Sequence, residues 1–393
     1  MHRVFEIRVV VAANFLAVAA RMSLVTFLGI YFVRRAGIDI ATVGAAFLCE
    51  HGLRGALAPM FGALSDRIGR RALLLPAALA TAAILPCFLL VTGPAGLFAW
   101  SIAMGVAGAV NIPVSNALLL DLAPVERRQS VLALNYTLMS VAYTLGVSPA
   151  GYVAEKGYDL LAYSSSIGFL LVAALYALAL RKPLPLEKSA SGVMRNMVSA
   201  FRDRTFLLFA LMAFVFPLSM GMVVAAAPVF GAESGLGEGY IGLVLGGNSL
   251  IVAVLAIPAA TRMEALGPFR LLGGAAALVA AALFSYALIP DVAAALLVGT
   301  VVFSFGEIVF SSAVPAAVAG LAPAGRRGAY QGGWALVASF SMGSALVLSG
   351  WLKNNFGPDF GWQGTWLVYA LLVAVAAAAL FFARNGFRTR ALR

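Results

Sequence analysis

The run Gly62-Ala63-Leu64-Ser65-Asp66-Arg67-Ile68-Gly69-Arg70-Arg71 decides the fold of this chain, because it places four charges and two glycines between two long apolar stretches. Charged side chains interrupt apolar sequence in this way where a chain leaves a bilayer and turns back into it. Gly62 is expected to let a neighbouring helix approach closely, and Gly69 is expected to allow the turn. The three arginines of the run would anchor the adjoining helix ends at an anionic membrane surface.

The composition indicates a membrane protein. Hydrophobic residues make up 62% of the 393 residues and charged residues only 11%, whereas soluble domains are about half apolar and a quarter charged. Each helix that crosses a bilayer needs roughly 20 apolar residues. The chain therefore has room for about a dozen spanning helices with short connections and for no sizeable soluble domain. We predict an all-α integral membrane protein.

Twelve membrane spans are predicted from the apolar runs and the charged breaks between them. They lie at residues 8–32, 40–63, 72–92, 96–119, 131–153, 160–180, 205–230, 239–261, 271–290, 292–318, 329–352 and 363–383. Residues 1–180 are predicted to form a first six-helix half and residues 205–393 a second. The longest polar stretch between spans, residues 181–204, is rich in basic residues and is predicted to be the cytoplasmic linker between the halves.

The distribution of Lys and Arg predicts the orientation in the membrane. Most of the 27 basic residues fall on the side that holds both termini and the linker. The opposite loops hold only Arg34, Arg35, Lys156 and Lys353. Because basic loops stay in the cytoplasm, we expect a multi-pass protein of a bacterial-type cytoplasmic (inner) membrane with both termini inside. The net charge of +11 then reflects topology and lipid headgroups and gives no reason to expect a nucleic-acid partner.

An internal repeat indicates a duplicated chain. At an offset of 199 residues, the segment 121–128 lies over 320–327 and shares with it Leu-Ala-Pro and a pair of arginines. At an offset of 198 residues, the predicted turn glycine Gly69 lies over Gly267. The two loops therefore agree on the register of the repeat to within one residue, which is typical of a carrier with parallel repeats and a site at their interface.

The run from Gly62 to Arg71 resembles the signature loop of the major facilitator superfamily almost position for position. The resemblance implies two pseudo-symmetric six-helix bundles and a gate in which an Asp and an Arg of the loop bond to the other half and to an acid at the cytoplasmic end of the fourth helix. Such ion pairs would act as a latch that favours the cytoplasm-closed state. A membrane anchor with no gating role is the alternative. The implied gating residues are Gly62, Asp66, Arg67, Gly69, Arg70, Arg71 and Asp121.

Four charged residues lie in the middle of predicted spans, where each costs roughly 2.5 kcal/mol or more. These are Arg21, Glu50, Arg54 and Glu307. Antiparallel first and second helices would bring Arg21 and Glu50 to one depth, and Arg54 lies one turn after Glu50. The three either form a structural ion network or respond to the charge of a substrate. His51 is a candidate proton relay beside Glu50, or it bonds a backbone carbonyl.

Glu307 stands apart because its predicted span, residues 292–318, contains no other charge. Burial disfavours the charged form of an acid, so this residue suits a proton carrier or an anchor for a cationic substrate. The sequence Gly306-Glu307-Ile308, with Pro315 after it, resembles the drug:proton antiporter branch of the superfamily. A structural acid held by hydrogen bonds is the alternative.

The fourth predicted helix carries small and polar residues at roughly helical spacing. In the superfamily this helix and the seventh border the cavity, which makes candidates of Ser101, Met104, Gly108, Asn111, Ser115 and Met220. Helix packing is the alternative use of such residues. Two positions depart from the antiporter pattern, since Ser101 stands where many antiporters carry arginine and Ser148 where glycine is usual before a proline.

These features together predict a secondary active transporter that works by alternating access and is not an enzyme. Proton-coupled efflux of small amphipathic or cationic compounds, as in a multidrug antiporter, is the favoured activity. A dedicated carrier for one metabolite or organic anion, held by Arg21 or Arg54, and a non-transporting membrane sensor are the alternatives. The expected partners are a small-molecule substrate, protons and membrane lipids, and we expect a monomer. No cofactor or metal is expected, because the chain has two histidines and no Gly-Lys-Ser/Thr phosphate loop, so the proton gradient would supply the energy.

Overall fold

The computed structural model of the chain describes residues 2–179, 200–263, 267–323, 326–356 and 360–391. Within these ranges the chain is almost entirely helical and holds no β-strand. The predicted all-α class is therefore confirmed. Most of the predicted linker, at residues 181–199, lies outside the described residues.

Twelve helical segments follow one another in the described residues. The first six are α1 (His2–Ile30, continued by a π-helical turn, Tyr31–Arg35), α2 (Ile40–Ile68), α3 (Arg70–Ile84, continued by a 3-10 helix, Leu85–Leu90), α4 (Pro94–Leu122), α5 (Arg128–Lys156) and α6 (Tyr158–Ala179). The last six are α7 (Arg204–Glu233), α8 (Glu238–Met263), α9 (Pro268–Leu288), α10 (Val292–Leu321), α11 (Arg327–Phe356) and α12 (Gly361–Ala391). The helix α7 is interrupted at Phe214 and contains a π-helical turn at Met222–Ala226. Pro217 and Pro228 lie near these irregular turns, as expected of a residue without a backbone N–H.

Eleven of these helices are long and apolar enough to cross a membrane, over the residues described. The exception is α2, although its 29 residues would reach roughly 43 Å, more than the hydrocarbon core of roughly 30 Å. Its middle carries Glu50, His51 and Arg54, which lower its mean hydropathy. Composition thus identifies eleven spans where the apolar runs predict twelve, and on either count the chain is a multi-pass membrane protein.

The chain forms two compact units. The described residues of unit 1 fall within Met1–Ile38, Ala46–Val193 and Gly237–Gly246. Those of unit 2 fall within Asp39–Ala45, Met194–Leu236 and Gly247–Arg393. Unit 1 therefore includes the first turns of α8, and unit 2 includes the first turns of α2.

In unit 1, α1 is packed between other helices. It packs against α4, α5 and α6, while α3 packs against α4 and α6. The helices α1 and α5 approach closely at Gly146, where a Cβ atom would lie 2.5 Å from the backbone oxygen of Ala19. A contact of this kind is possible only when the residue has no side chain.

Replacing Gly146 by alanine is expected to lower the free energy of unfolding by about 1–3 kcal/mol, the usual cost of overpacking a tight contact. The added methyl group cannot fit against the Ala19 carbonyl oxygen unless α1 and α5 separate. Unfolding of the purified protein by SDS in mixed micelles would measure the change.

Gly274→Ala is the matched control for this variant. A Cβ atom at this exposed position of α9 would meet no atom within 4 Å. The control is expected to be neutral or to gain up to about 1 kcal/mol from the better helix propensity of alanine. Equal destabilisation of both variants would contradict the contact between Gly146 and Ala19.

Unit 2 is built on helix pairs. The helix α9 packs against α10 and α12, and α11 packs against α7. The hydroxyls of Tyr286 in α9 and Thr300 in α10 share a hydrogen bond of 2.6 Å. At the start of α7, Asp203 accepts hydrogen bonds from the Tyr330 hydroxyl and from the Thr205 backbone N–H. Burial by itself would raise the pKa of Asp203, but these hydrogen bonds outweigh it and hold the pKa below its usual value.

The same backbone conformation precedes α3 and α9. Gly69 precedes α3 with a φ of 95°, and Gly267 precedes α9 with a φ of 72°. Positive φ values of this size favour glycine because it lacks a Cβ atom. The turn predicted at Gly69 is therefore confirmed, and its counterpart 198 residues later makes the same kind of turn.

Candidate functional site

Three charged residues of the first two helices form one cluster in unit 1. Arg21 Nη2 donates to Glu50 Oε1 at 2.6 Å, and Arg54 Nη2 donates to the same oxygen. The Glu50 side chain is 3% exposed, against 12% for Arg21 and 21% for Arg54. We term Arg21, Glu50 and Arg54 the arginine cluster. Two cations and one anion give it a net charge of +1.

Gly108 of α4 leaves room for both guanidinium groups of the arginine cluster. A Cβ atom at Gly108 would lie 3.0 Å from Arg21 Nη1 and 3.0 Å from Arg54 Nε. Sequence reasoning selects Gly108 as a cavity residue without linking it to either arginine, because the sequence does not show what faces α4. Three residues further along α4, Asn111 is half-buried, and its Oδ1 atom has no hydrogen-bond partner among the described residues.

The remaining cavity candidates are mostly buried within their own unit. Ser101 and Met104 are fully buried in α4, and the Ser101 hydroxyl has no hydrogen-bond partner in the part of the chain that the structure describes. The Ser115 hydroxyl donates to the carbonyl oxygen of Ile112 in its own helix at 3.2 Å. Met220 is half-buried in α7 of unit 2. The burial of Ser101 and Met104 is what helix packing requires of residues in α4.

His51 bonds a backbone carbonyl rather than Glu50. Its Nδ1 atom lies 2.9 Å from the carbonyl oxygen of Phe47, one turn earlier in α2. Over the described residues, the hydrogen bonds to the Glu50 carboxylate come from the two arginines. The geometry does not bring His51 and Glu50 into the direct contact that a proton relay between them would use.

The second charged site is Glu307 in α10 of unit 2. Its Oε2 atom accepts a hydrogen bond of 3.1 Å from Asn248 Nδ2, which also donates to Ser304 Oγ at 2.9 Å. Ser304 in turn donates to the carbonyl oxygen of Thr300 at 2.9 Å. None of the ion pairs among the described residues involves Glu307. The half-buried acid is thus held by a neutral amide.

Sequence reasoning misses Asn248, which lies 59 residues from Glu307 along the chain. The feature of the sequence that could have identified Asn248 is its position as an amide in the middle of the apolar run of α8. A buried amide without a partner is costly in a bilayer, so Asn248 can be recognised as a residue that needs one. That signal does not identify Glu307 as the partner.

A buried amide network in unit 1 is also missed. Asn14 Nδ2 donates to Asn135 Oδ1 at 3.0 Å, and the Tyr176 hydroxyl donates to Asn14 Oδ1 at 3.2 Å. Asn135 Nδ2 lies 3.4 Å from Asn116 Oδ1, so the network joins α1, α4, α5 and α6. These groups satisfy one another, as buried polar groups must, and they need no ligand to explain them.

The loop between α2 and α3 brings together three of the residues predicted for the gate. Arg70 Nη1 lies 2.5 Å from Asp66 Oδ1, and Arg70 Nε donates to Asp121 Oδ2 at 3.0 Å. Arg70 also donates to the Ser65 hydroxyl. Asp66, Arg70 and Asp121 therefore form one ion-pair group within unit 1 that joins the ends of α2, α3 and α4.

The expectation that Gly62 allows a close helix approach is wrong over the described residues. A Cβ atom at Gly62 would meet no atom within 4 Å. Its carbonyl oxygen instead accepts hydrogen bonds from Ser65 Oγ at 2.6 Å and from Arg70 Nη1 at 3.5 Å. Gly62 thus takes part in the loop through its backbone. Arg67 and Arg71 are exposed, as residues that anchor a helix end at a membrane surface would be.

The sequence matches one family profile and one curated relative. The profile of the Major Facilitator Superfamily matches residues 10–240 and 209–392. The Na(+), Li(+), K(+)/H(+) antiporter of Planococcus maritimus is 27% identical over 267 residues, which are 59% of this chain and 62% of that protein. The match to this relative therefore spans less than two thirds of its length.

Solved structures share the fold at low sequence identity. The nucleoside transporter NupG superposes with a TM-score of 0.81 at 14% identity, over 96% of this chain and 98% of that one. A bacterial homolog of the human lysosomal transporter Spinster gives 0.79 at 14%, over 99% and 98% of the two chains. The human organic anion transporter MFSD10 gives 0.68 at 16%, over 95% and 98%. Identities this low establish a common fold and carry no information about substrate.

Proposed function

This chain belongs to the major facilitator superfamily and is a secondary transporter rather than an enzyme, and we propose that it is a proton-coupled antiporter that exports small amphipathic or cationic compounds. The observation that carries the proposal is the Glu307 carboxylate, which is half-buried in α10 and hydrogen-bonded to the neutral Asn248. An acid in a membrane span is seldom kept without use. A cation would neutralise its negative charge, and the two candidates are a proton and a positively charged substrate.

One carboxylate can couple two cations because their binding is mutually exclusive. When a proton binds Glu307, the group becomes neutral and loses its attraction for a cationic substrate. When the substrate binds, its charge favours the ionised carboxylate, so the proton leaves. Competition at one residue therefore exchanges a cation for a proton, provided that the protein alternates between access from the two sides of the membrane.

Asn248 suits the role of a positioning residue for Glu307. Its Nδ2 group donates both to the carboxylate and to Ser304 Oγ, so the amide orients the acid without neutralising it. A lysine or arginine at this position would form an ion pair with the acid and favour its ionised form at all times. The neutral partner leaves Glu307 free to exchange its proton.

An aromatic pair beside Glu307 favours amphipathic cations over bare ions. Phe310 lies three residues after Glu307, which puts both on one side of α10. Its ring stacks on Phe216 of α7 with ring centroids 4.3 Å apart, and Phe310 itself is half-buried. Aromatic faces attract organic cations and bind apolar groups. A carboxylate with aromatic rings nearby suits a compound that has both a positive charge and an apolar body.

The curated relative supports exchange of cations for protons. The Planococcus maritimus protein is an antiporter of Na(+), Li(+) and K(+) against H(+). The two proteins share 27% identity over 59% of this chain. The likeness therefore favours exchange of a cation for a proton as the class of reaction. The preference for organic cations over alkali ions rests on the aromatic pair, Phe216 and Phe310.

In the proposed cycle, the ion pairs of Arg70 bias the gate on the cytoplasmic side. Arg70 pairs with Asp66 and Asp121 at one end of unit 1. A few such contacts are enough to shift a two-state equilibrium whose states differ by only a few kcal/mol. The excess of Lys and Arg in the loops on this side supports a cytoplasmic location, in a bacterial-type inner membrane with both termini inside.

Proton release from inverted vesicles tests the proposal. The vesicles contain the protein, hold an acid interior and receive in turn lipophilic cations, neutral amphipathic compounds, alkali cations and organic anions. Release by several lipophilic cations, absent from vesicles without the protein, is the expected result. Release by alkali cations alone would overturn the amphipathic assignment. A response to one organic anion would favour a dedicated carrier, and binding to the purified protein without movement would favour a sensor.

A further inference from the structure

The arginine cluster carries one more positive charge than its own residues neutralise. Arg21 and Arg54 both bond to Oε1 of Glu50, and the described residues place no second acid in an ion pair with either arginine. All three side chains lie in the middle of membrane-spanning helices and are mostly buried. An uncompensated charge in such a place is strongly unfavourable, so the cluster favours an additional anion.

The cluster also has hydrogen-bond donors without a partner in the part of the chain that the structure describes. A guanidinium group carries five N–H donors, and each of the two arginines donates to Glu50 through Nη2. The Nε atoms of Arg21 and Arg54 are buried and have no partner among the described residues. Buried donors of this kind normally have a hydrogen-bond partner. An anion would accept hydrogen bonds from them and would also neutralise the excess positive charge.

The residues of α4 beside the cluster carry no charge. Gly108 has no side chain where a Cβ atom would contact both guanidinium groups at 3.0 Å. Asn111, three residues later on the same side of α4, has an amide oxygen without a partner in the described structure. Turning this amide over would direct its N–H donors to the position that its oxygen now faces. Gly108 and Asn111 therefore bring no second negative charge to the cluster, and the Asn111 amide can supply further hydrogen-bond donors.

We propose that the arginine cluster is a binding site for one small monovalent anion, held by Arg21 and Arg54 beside Gly108. A monovalent ligand matches the net charge of +1, whereas a divalent one would leave an excess of negative charge. A carboxylate of an organic compound and a halide ion share this chemistry. The inference does not depend on the proposed antiport, because it uses the cluster in unit 1 and makes no use of Glu307.

Thermal unfolding of the purified full-length protein in lipid nanodiscs tests the site. The probes are sodium chloride and sodium benzoate, each exchanged for bulky sodium methanesulfonate at constant ionic strength. The melting temperature of the wild type is expected to rise with at least one probe and then to level off. A response to chloride alone identifies a halide site, and a response to benzoate that chloride competes away identifies a site for carboxylates.

The decisive variant is Arg54→Gln, which leaves Arg21 and Glu50 as a neutral pair. Its apparent affinity for the anion is expected to fall at least tenfold. Arg34→Gln is the control, since it removes the same charge from an exposed position and should keep the full response. The proposal is wrong if neither probe stabilises the wild type or if the response survives in Arg54→Gln.

A second variant keeps the test decisive if Arg54→Gln does not fold. Gly108→Ala leaves every charge in place and puts a methyl group 3.0 Å from both guanidinium groups. The anion response of this variant is expected to weaken, because the methyl group would displace the guanidinium groups that hold the anion. An unchanged response in Gly108→Ala would exclude this position for the anion.

Discussion

Vesicles that contain Glu307→Gln are expected to release no more protons on addition of a lipophilic cation than vesicles without the protein. Glutamine has nearly the shape of glutamate but cannot bind or release a proton at this position. Asn248 Nδ2 can still donate to the remaining side-chain oxygen, so the contact of 3.1 Å and the packing around it are preserved. The loss therefore reports on the missing charge and proton rather than on the fold.

Two variants serve as controls for the loss of coupling. Glu307→Asp keeps a carboxylate but shortens the side chain, so reduced and measurable proton release is expected. Asp159→Asn removes an acid from an exposed position at the start of α6 and should behave as the wild type. Full proton release by Glu307→Gln would show that another group carries the proton, which would leave the transporter class intact and remove Glu307 from the mechanism.

Glu50→Gln is expected to lower the free energy of unfolding by about 3–5 kcal/mol, the usual result when one partner of a buried ion pair is removed. Glu50 is 3% exposed and is the acid that pairs with both Arg21 and Arg54 in the described structure. Without its charge, two arginines face each other in a membrane-spanning region. Unfolding of the purified protein by SDS in mixed micelles would measure the loss.

The size of this effect can be separated from a general effect of removing acids. Glu126→Gln changes an exposed acid and is expected to alter stability by no more than about 0.5 kcal/mol. Removing Arg54 as well, in Glu50→Gln/Arg54→Gln, should recover part of the loss because only one unpaired charge remains. If Glu50→Gln were as stable as the wild type, the charges of the arginine cluster would have to be compensated from outside the protein.

Chloride or benzoate should also restore part of the stability of Glu50→Gln. This variant carries two positive charges at the cluster, so an anion bound there should stabilise it more than the wild type. Restoration of this kind would connect the stability of the cluster with the proposed anion site. Anions without effect on either protein would leave Glu50 as a purely structural counter-ion.

The sequence by itself determines the class of the protein and several local features. A content of 62% hydrophobic residues cannot be buried in one soluble domain, so membrane-spanning helices follow from composition. The positive φ of Gly69 follows from a turn between two spans, and its counterpart Gly267 follows from the repeat. Glu307 stands out because a charge in an apolar run is visible without any structure. Each of these inferences needs only neighbouring residues or a periodic pattern.

The tertiary structure alone decides which distant residues meet. It joins Asn248 to Glu307, brings Arg21 and Arg54 to one oxygen of Glu50, and sets Gly108 of α4 against both arginines. It also shows that Gly62 acts through its carbonyl oxygen rather than through a close helix approach. Helical periodicity identifies the residues on one side of a helix but not the helix that this side faces. That choice is made by the packing of all the helices of a unit together.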